Sequence, residues 1–237
     1  MRDILAPREL QRLVPFVLLG CWCAAMLVAR VGLSGRLSFG YLAWNLFLAA
    51  VPLAATTALR GLHALRAPMI LRGLMAAMWL LFLPNAPYIL TDFIHLAQKP
   101  AVPLWFDSLL LLSFAGTGLA MAYRSLFDVE ELVARRFGSV AAVSVSSIAL
   151  FLCGFGIYLG RFRRLNSWDV LHEPWGTFVM VAERFLQPWE HPRTWAVTLL
   201  YGGVLLLGYA VLQSMRASLA PDFSHESRSG ISGAERS

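Results

Sequence analysis

The chain has 237 residues, of which 58% are hydrophobic and only 14% charged, with a mean hydropathy of +0.62. A soluble domain carries about 25% charged residues, so this chain cannot cover a water-facing surface with charge. That excludes an ordinary soluble enzyme, a charged disordered protein and a disulfide-rich secreted scaffold. The net charge of +6 reads as the loop charge that orients a membrane protein, with no call for nucleic acid as a partner.

A hydrocarbon core of about 30 Å needs about 20 apolar residues at 1.5 Å each. Six stretches meet that length, approximately 13–29, 38–59, 73–90, 103–123, 138–160 and 194–214. Asp107 is the one charged residue inside them. Lipid leaves helices as the economical way to satisfy each backbone N–H and C=O. The expected fold is therefore all-α, a polytopic helical bundle of six transmembrane helices with membrane lipids as its surroundings.

The first span follows Arg2, Arg8 and Arg12, and its Leu18-Leu19-Gly20-Cys21 is like a lipoprotein cleavage site. The apolar run continues past Cys21 to Ala29, so it reads as an uncleaved helix. Cys21, Cys23 and Cys153 all sit in apolar runs, where a free cysteine behaves as a small hydrophobe. With residues 1–12 placed in the cytoplasm, the segments on that side hold twelve of the twenty basic residues. Both termini are then cytoplasmic and the protein belongs to the cell (inner) membrane. Arg161, Arg163, Arg164, Arg184 and Arg193 run against this bias, all in the one long outer loop 161–193.

The second span carries Trp44 and Asn45 near its outer end. The third ends in Phe82-Leu83-Pro84-Asn85-Ala86-Pro87-Tyr88, followed by Thr91, Asp92 and His95. Pro84 and Pro87 each lack an N–H and clash with the carbonyl four residues back, so span three should kink or break there. Asn85 and Asn45 can supply donors to the freed carbonyls. Asp92 and His95 share a face if the helix resumes.

Trp105-Phe106-Asp107 opens the fourth span, where a first-turn carboxylate is favoured by the helix dipole. The fifth ends in Tyr158 and Arg161, followed by Arg164 and Asn166-Ser167-Trp168-Asp169. Alternating spans bring all of these groups to one face, the outer one. Asp92, His95 and Asp107 are the candidates for acid–base chemistry there. Arg161 and Arg164, with Asn45, Asn85, Tyr158, Asn166 and Asp169, form either an internal clamp or a site for an anionic group. Zinc wants three or four ligands, mostly His or Cys, and His95 has no second histidine near it in sequence, so no metal is expected. No cofactor motif is present.

In the long loop, Trp175, Phe178, Val179, Ala182, Phe185 and Leu186 recur at helical spacing, with Glu183 and Arg184 off that stripe. Pro174 and Pro188 bracket a short interfacial amphipathic helix. The tail 215–237, rich in Ser, Gly and charge, is expected to be disordered and cytoplasmic.

The runs Trp44–Ala49, Phe82–Asp92, Trp105–Asp107, Gly156–Arg161 and Asn166–Asp169 resemble, over roughly residues 40 to 215, the bacterial membrane family known as domain of unknown function 1361. In the family the position of Phe106 is more often Tyr, and the hydroxyl absent here argues against a catalytic role for that position. The resemblance implies a multispanning membrane protein and brings no reaction, substrate or cofactor with it. Three classes of function fit the residues: an enzyme or binding protein for an anionic lipid or lipid-linked group, a scaffold for unknown protein partners, or a small-solute transporter.

Overall fold

The computed structural model describes residues 7–98, 101–165 and 172–218. Asn166 and Asp169, residues 1–6 and most of the tail lie outside the described residues. The described residues are predominantly helical, without strands: α1 (Pro7–Ser34), α2 (Tyr41–Ala64), α3 (Met69–Phe82), α4 (Asn85–Tyr88), a 3₁₀ segment (Ile89–Gln98), α5 (Leu104–Phe137), α6 (Ser139–Phe162), α7 (Pro174–Leu186) and, after a short 3₁₀ turn, α8 (Pro192–Ser218). Six spans are long and apolar enough to cross a bilayer, the third of them running from Met69 to Leu96 through the break. The protein is an all-α, multi-pass integral membrane protein.

Helix ends follow local chemistry. Pro103 and Pro68 cap α5 and α3 from extended backbone, where the missing proline N–H loses no helical bond. Gly138 alone separates α5 from α6, at φ +85°, a conformation that a side chain would oppose. At the end of α2, Arg66 adopts φ +51° while its own N–H and that of Ala67 bond back to His63 and Leu62, a closing turn that glycine usually makes.

The central element is α5. It packs against α1, α2, α4, the 3₁₀ segment and α6, while α8 lies outermost on α6. Leu110, Leu111, Phe114, Ala115 and Leu126 of α5 are fully buried. Inside this apolar core two polar contacts join helices: the Trp79 indole donates to Ser125 Oγ at 3.1 Å, and the Tyr123 hydroxyl to the Leu205 carbonyl at 2.9 Å.

The fourth apolar window ends at residue 123, but α5 continues to Phe137. Its extension is charged yet pairs at helical spacing, Arg124 with Asp128 at 2.8 Å and Glu131 with Arg135 at 2.5 Å. Such i,i+4 pairs support a helix that no longer has lipid around it. Arg60 of α2 joins the same group, 3.1 Å from Asp128 and 2.6 Å from Glu131.

At the opposite end of α5, Asp107 is held by Arg30 of α1. Nε lies 2.6 Å from Oδ1 and Nη2 3.0 Å from Oδ2, with both residues buried. The guanidinium also lies over the Phe39 ring, 4.4 Å from its centre. Thus each end of α5 is tied to a neighbouring helix by a buried carboxylate and an arginine.

Candidate functional site

Span three breaks where its two prolines stand. α3 ends at Phe82, and the short α4 and the 3₁₀ segment carry the chain onward. The Asn85 amide donates to the Phe82 carbonyl at 3.0 Å, meeting one acceptor released by the break. Opposite it, Gly156 of α6 leaves no room for a side chain: an added Cβ would stand 2.6 Å from the Pro84 ring. The broken segment therefore packs flush on α6.

The 3₁₀ form has a consequence for the polar groups. With three residues per turn, side chains three apart eclipse, so Asp92 and His95 stack on one face. Arg161, from the end of α6, meets both. Its Nη1 is 3.5 Å from Asp92 Oδ1, and its Nη2 donates to the Thr91 carbonyl at 3.2 Å and lies 3.0 Å from His95 Nε2. A guanidinium only donates, so Nε2 accepts in this contact. The Asn45 amide donates to Asp92 Oδ2 at 3.0 Å, and Asp92 is 1% exposed. Tyr88 adds its hydroxyl, 3.5 Å from Arg161 Nη1, and its ring beneath the guanidinium.

These groups cap a cavity of about 750 Å³. Three helical stripes form its walls. Tyr41, Trp44, Asn45 and Leu48 come from α2; Ala77, Leu80 and Leu81 from α3; Leu152, Phe155, Gly156 and Leu159 from α6. The deeper part is aliphatic and aromatic, and polar groups gather only at the capped end. Thr177 of α7 stands at the rim. Here α3 and α6 face one another across open space, each packing on other partners. A second recess, of about 550 Å³, is lined by Tyr88, Ile94, His95, Gly160, Arg161 and Arg164. Among the described residues it is lined by two arginines and no carboxylate. Arg164 is exposed and takes φ +56°, just past the end of α6.

The structure thus brings Asn45, Asn85, Asp92, His95 and Arg161 to one cavity and Arg164 to the recess beside it. Asp107 does not line either; its carboxylate is occupied by Arg30. Tyr158 also turns away. It stacks on Phe162 and sits against Thr194 of α8 and Arg184 of α7. Two residues without a sequence-level role enter the picture. Arg30 neutralises Asp107, and Tyr41 meets the His95 ring edge-on at 6.3 Å. Tyr41 was findable, since it precedes Asn45 by four residues and Leu48 by seven on one face of α2. Among the described residues no three His, Cys, Asp or Glu side chains gather as a metal centre would need.

A family model described as a protein of unknown function, DUF1361, matches residues 44–207. The chain belongs to the DUF1361 family. The DUF1361 match takes in every cavity-lining residue except Tyr41, and it leaves α1, with Arg30, outside. No curated protein and no solved structure matches the chain.

Proposed function

We propose that this integral membrane protein binds an amphiphile, a lipid or lipid-linked molecule, by an apolar tail and an anionic headgroup. One observation carries the reading: an apolar cavity between α3 and α6 joins a recess that, among the described residues, is lined by two arginines and no carboxylate, through the shared Tyr88, His95, Gly160 and Arg161. The tail lies along Leu80, Leu81, Leu152 and Phe155, and the headgroup meets Arg161 and Arg164. Arginine suits this task because its fixed fork matches phosphate or carboxylate oxygens. Asp92 and Asn45 orient Arg161. His95, which faces both compartments, is the group positioned to exchange a proton with a bound headgroup. Asp107, engaged by Arg30, serves as a clamp.

The cavity is read as opening on the extracytoplasmic side, with both termini in the cytoplasm. The support is the placement of twelve of the twenty basic residues in the segments of the opposite side. On this reading α7 lies along the interface, its exposed Trp175 and Phe178 toward lipid.

The binding test uses the full chain in phosphatidylcholine nanodiscs, doped with phosphatidate or with diacylglycerol, or bathed in inorganic phosphate. Phosphatidate should raise the melting midpoint, and the two other additions should not. Arg164→Gln should weaken phosphatidate binding about tenfold, since a charged hydrogen bond contributes about 1.5–3 kcal/mol, and Leu152→Trp should block the tail. Equal shifts in wild type and both variants would overturn the reading. A response to inorganic phosphate alone would replace it with a free-anion site.

A further inference from the structure

At the junction of α6, α7 and α8, clear of the arginine-capped cavity, stands a buried arginine that the amphiphile reading does not use. The sequence places Arg184 off the apolar stripe of its helix, toward water. The structure turns it inward: Arg184 is 4% exposed, while Trp175, Phe178 and Leu186 face outward. Nη1 donates to the Met180 carbonyl of its own helix, and Nε is buried without an acceptor among the described residues. Thr194, fully buried in the first turn of α8, has an equally unsatisfied Oγ1. The Tyr158 hydroxyl of α6 sits against both side chains. Aromatic rings close over the group, with Phe185 packed against Phe155 and Trp195.

The surroundings are positive. Arg163 acts electrostatically on Tyr158, and Arg193 lies over the Phe162 ring. Among the described residues none of Arg163, Arg184 and Arg193 pairs with a carboxylate. A helix start adds its own positive end. A guanidinium withdrawn from water calls for a compensating charge, and the described groups against this one, the Met180 carbonyl and the Tyr158 and Thr194 hydroxyls, are all neutral.

We propose that Arg184, Tyr158 and Thr194 form a binding site for a small inorganic anion of chloride size, which ties α7 to the ends of α6 and α8. Near-complete enclosure of Arg184 and Thr194 selects a monatomic ion over a lipid headgroup. The site shares no polar residue with the amphiphile cavity, so each can fail without the other.

The test replaces gluconate by chloride, and then by bromide, at constant ionic strength, with the full chain in phosphatidylcholine nanodiscs. The wild-type melting midpoint should climb with halide concentration, as it does for any ligand that binds only the folded state. Arg184→Gln and Thr194→Val should both flatten the response. Thr194→Val exchanges a hydroxyl for a methyl and keeps the test in force if Arg184→Gln does not fold. A bromide derivative should give an anomalous peak beside Arg184 Nε. A wild-type midpoint indifferent to halide, a response retained by Thr194→Val, or density for water without an anomalous signal would overturn the proposal.

Discussion

Asp107→Ala would strand the Arg30 guanidinium in a site with no access to water. Removing one partner of a buried ion pair destabilises by about 3–5 kcal/mol, and a denaturant titration in micelles should show a loss of that size. The double variant Arg30→Met/Asp107→Leu should lose much less than the sum of the single changes, because no uncompensated charge remains. The carboxylate was legible in the sequence as the lone charge within six apolar windows. Its partner was not, because Arg30 stands one residue past the first window and reads as ordinary loop charge. Periodicity identifies a buried face, and it does not say which helix lies opposite. Tyr158 makes the same point in reverse. It stands three residues before Arg161, close in sequence, yet it turns to α7 and α8 while Arg161 turns to the 3₁₀ segment. Arg184 shows the limit of polarity itself, since a residue that reads as solvent-facing is among the most deeply buried cations.

At the scale of elements, the six spans and the break in the third were legible, because length, apolarity and proline chemistry act locally. The form taken after the break was not. Nothing in Ile89–Gln98 marks it as 3₁₀, and the tighter winding is what aligns Asp92 with His95. The 3₁₀ segment itself packs mainly on α5, while the Pro84 turn that leads into it seats on α6 at Gly156, so that contact sets where the broken segment begins. Gly156→Ala would push a methyl into the Pro84 ring. Overpacking of this kind destabilises by about 1–3 kcal/mol, and the shift of Pro84 should also weaken phosphatidate binding, read in the same nanodisc assay. The length of α5 was underestimated for a related reason: hydropathy ends at the lipid boundary, and helical pairing between charged side chains carries on beyond it.

For the molecule as a whole, the sidedness proposed from the loop charges can be checked directly. In a background lacking Cys21, Cys23 and Cys153, a membrane-impermeant maleimide should label Arg164→Cys in intact cells and leave Arg135→Cys untouched until the membrane is opened. Labelling of both, or of Arg135→Cys alone, would reverse or void the placement of the cavity. The two acid–arginine ties of α5 add a dimension to this picture. Asp107 and Asp128 are separated along the helix by about 31 Å at 1.5 Å per residue, close to the about 30 Å of a typical hydrocarbon layer. The protein thus carries its own gauge of bilayer thickness. In a thicker membrane at least one tie would sit in oil, and in a thinner one apolar helix surface would be left wet; either way the bundle must tilt or draw the lipid to its own measure.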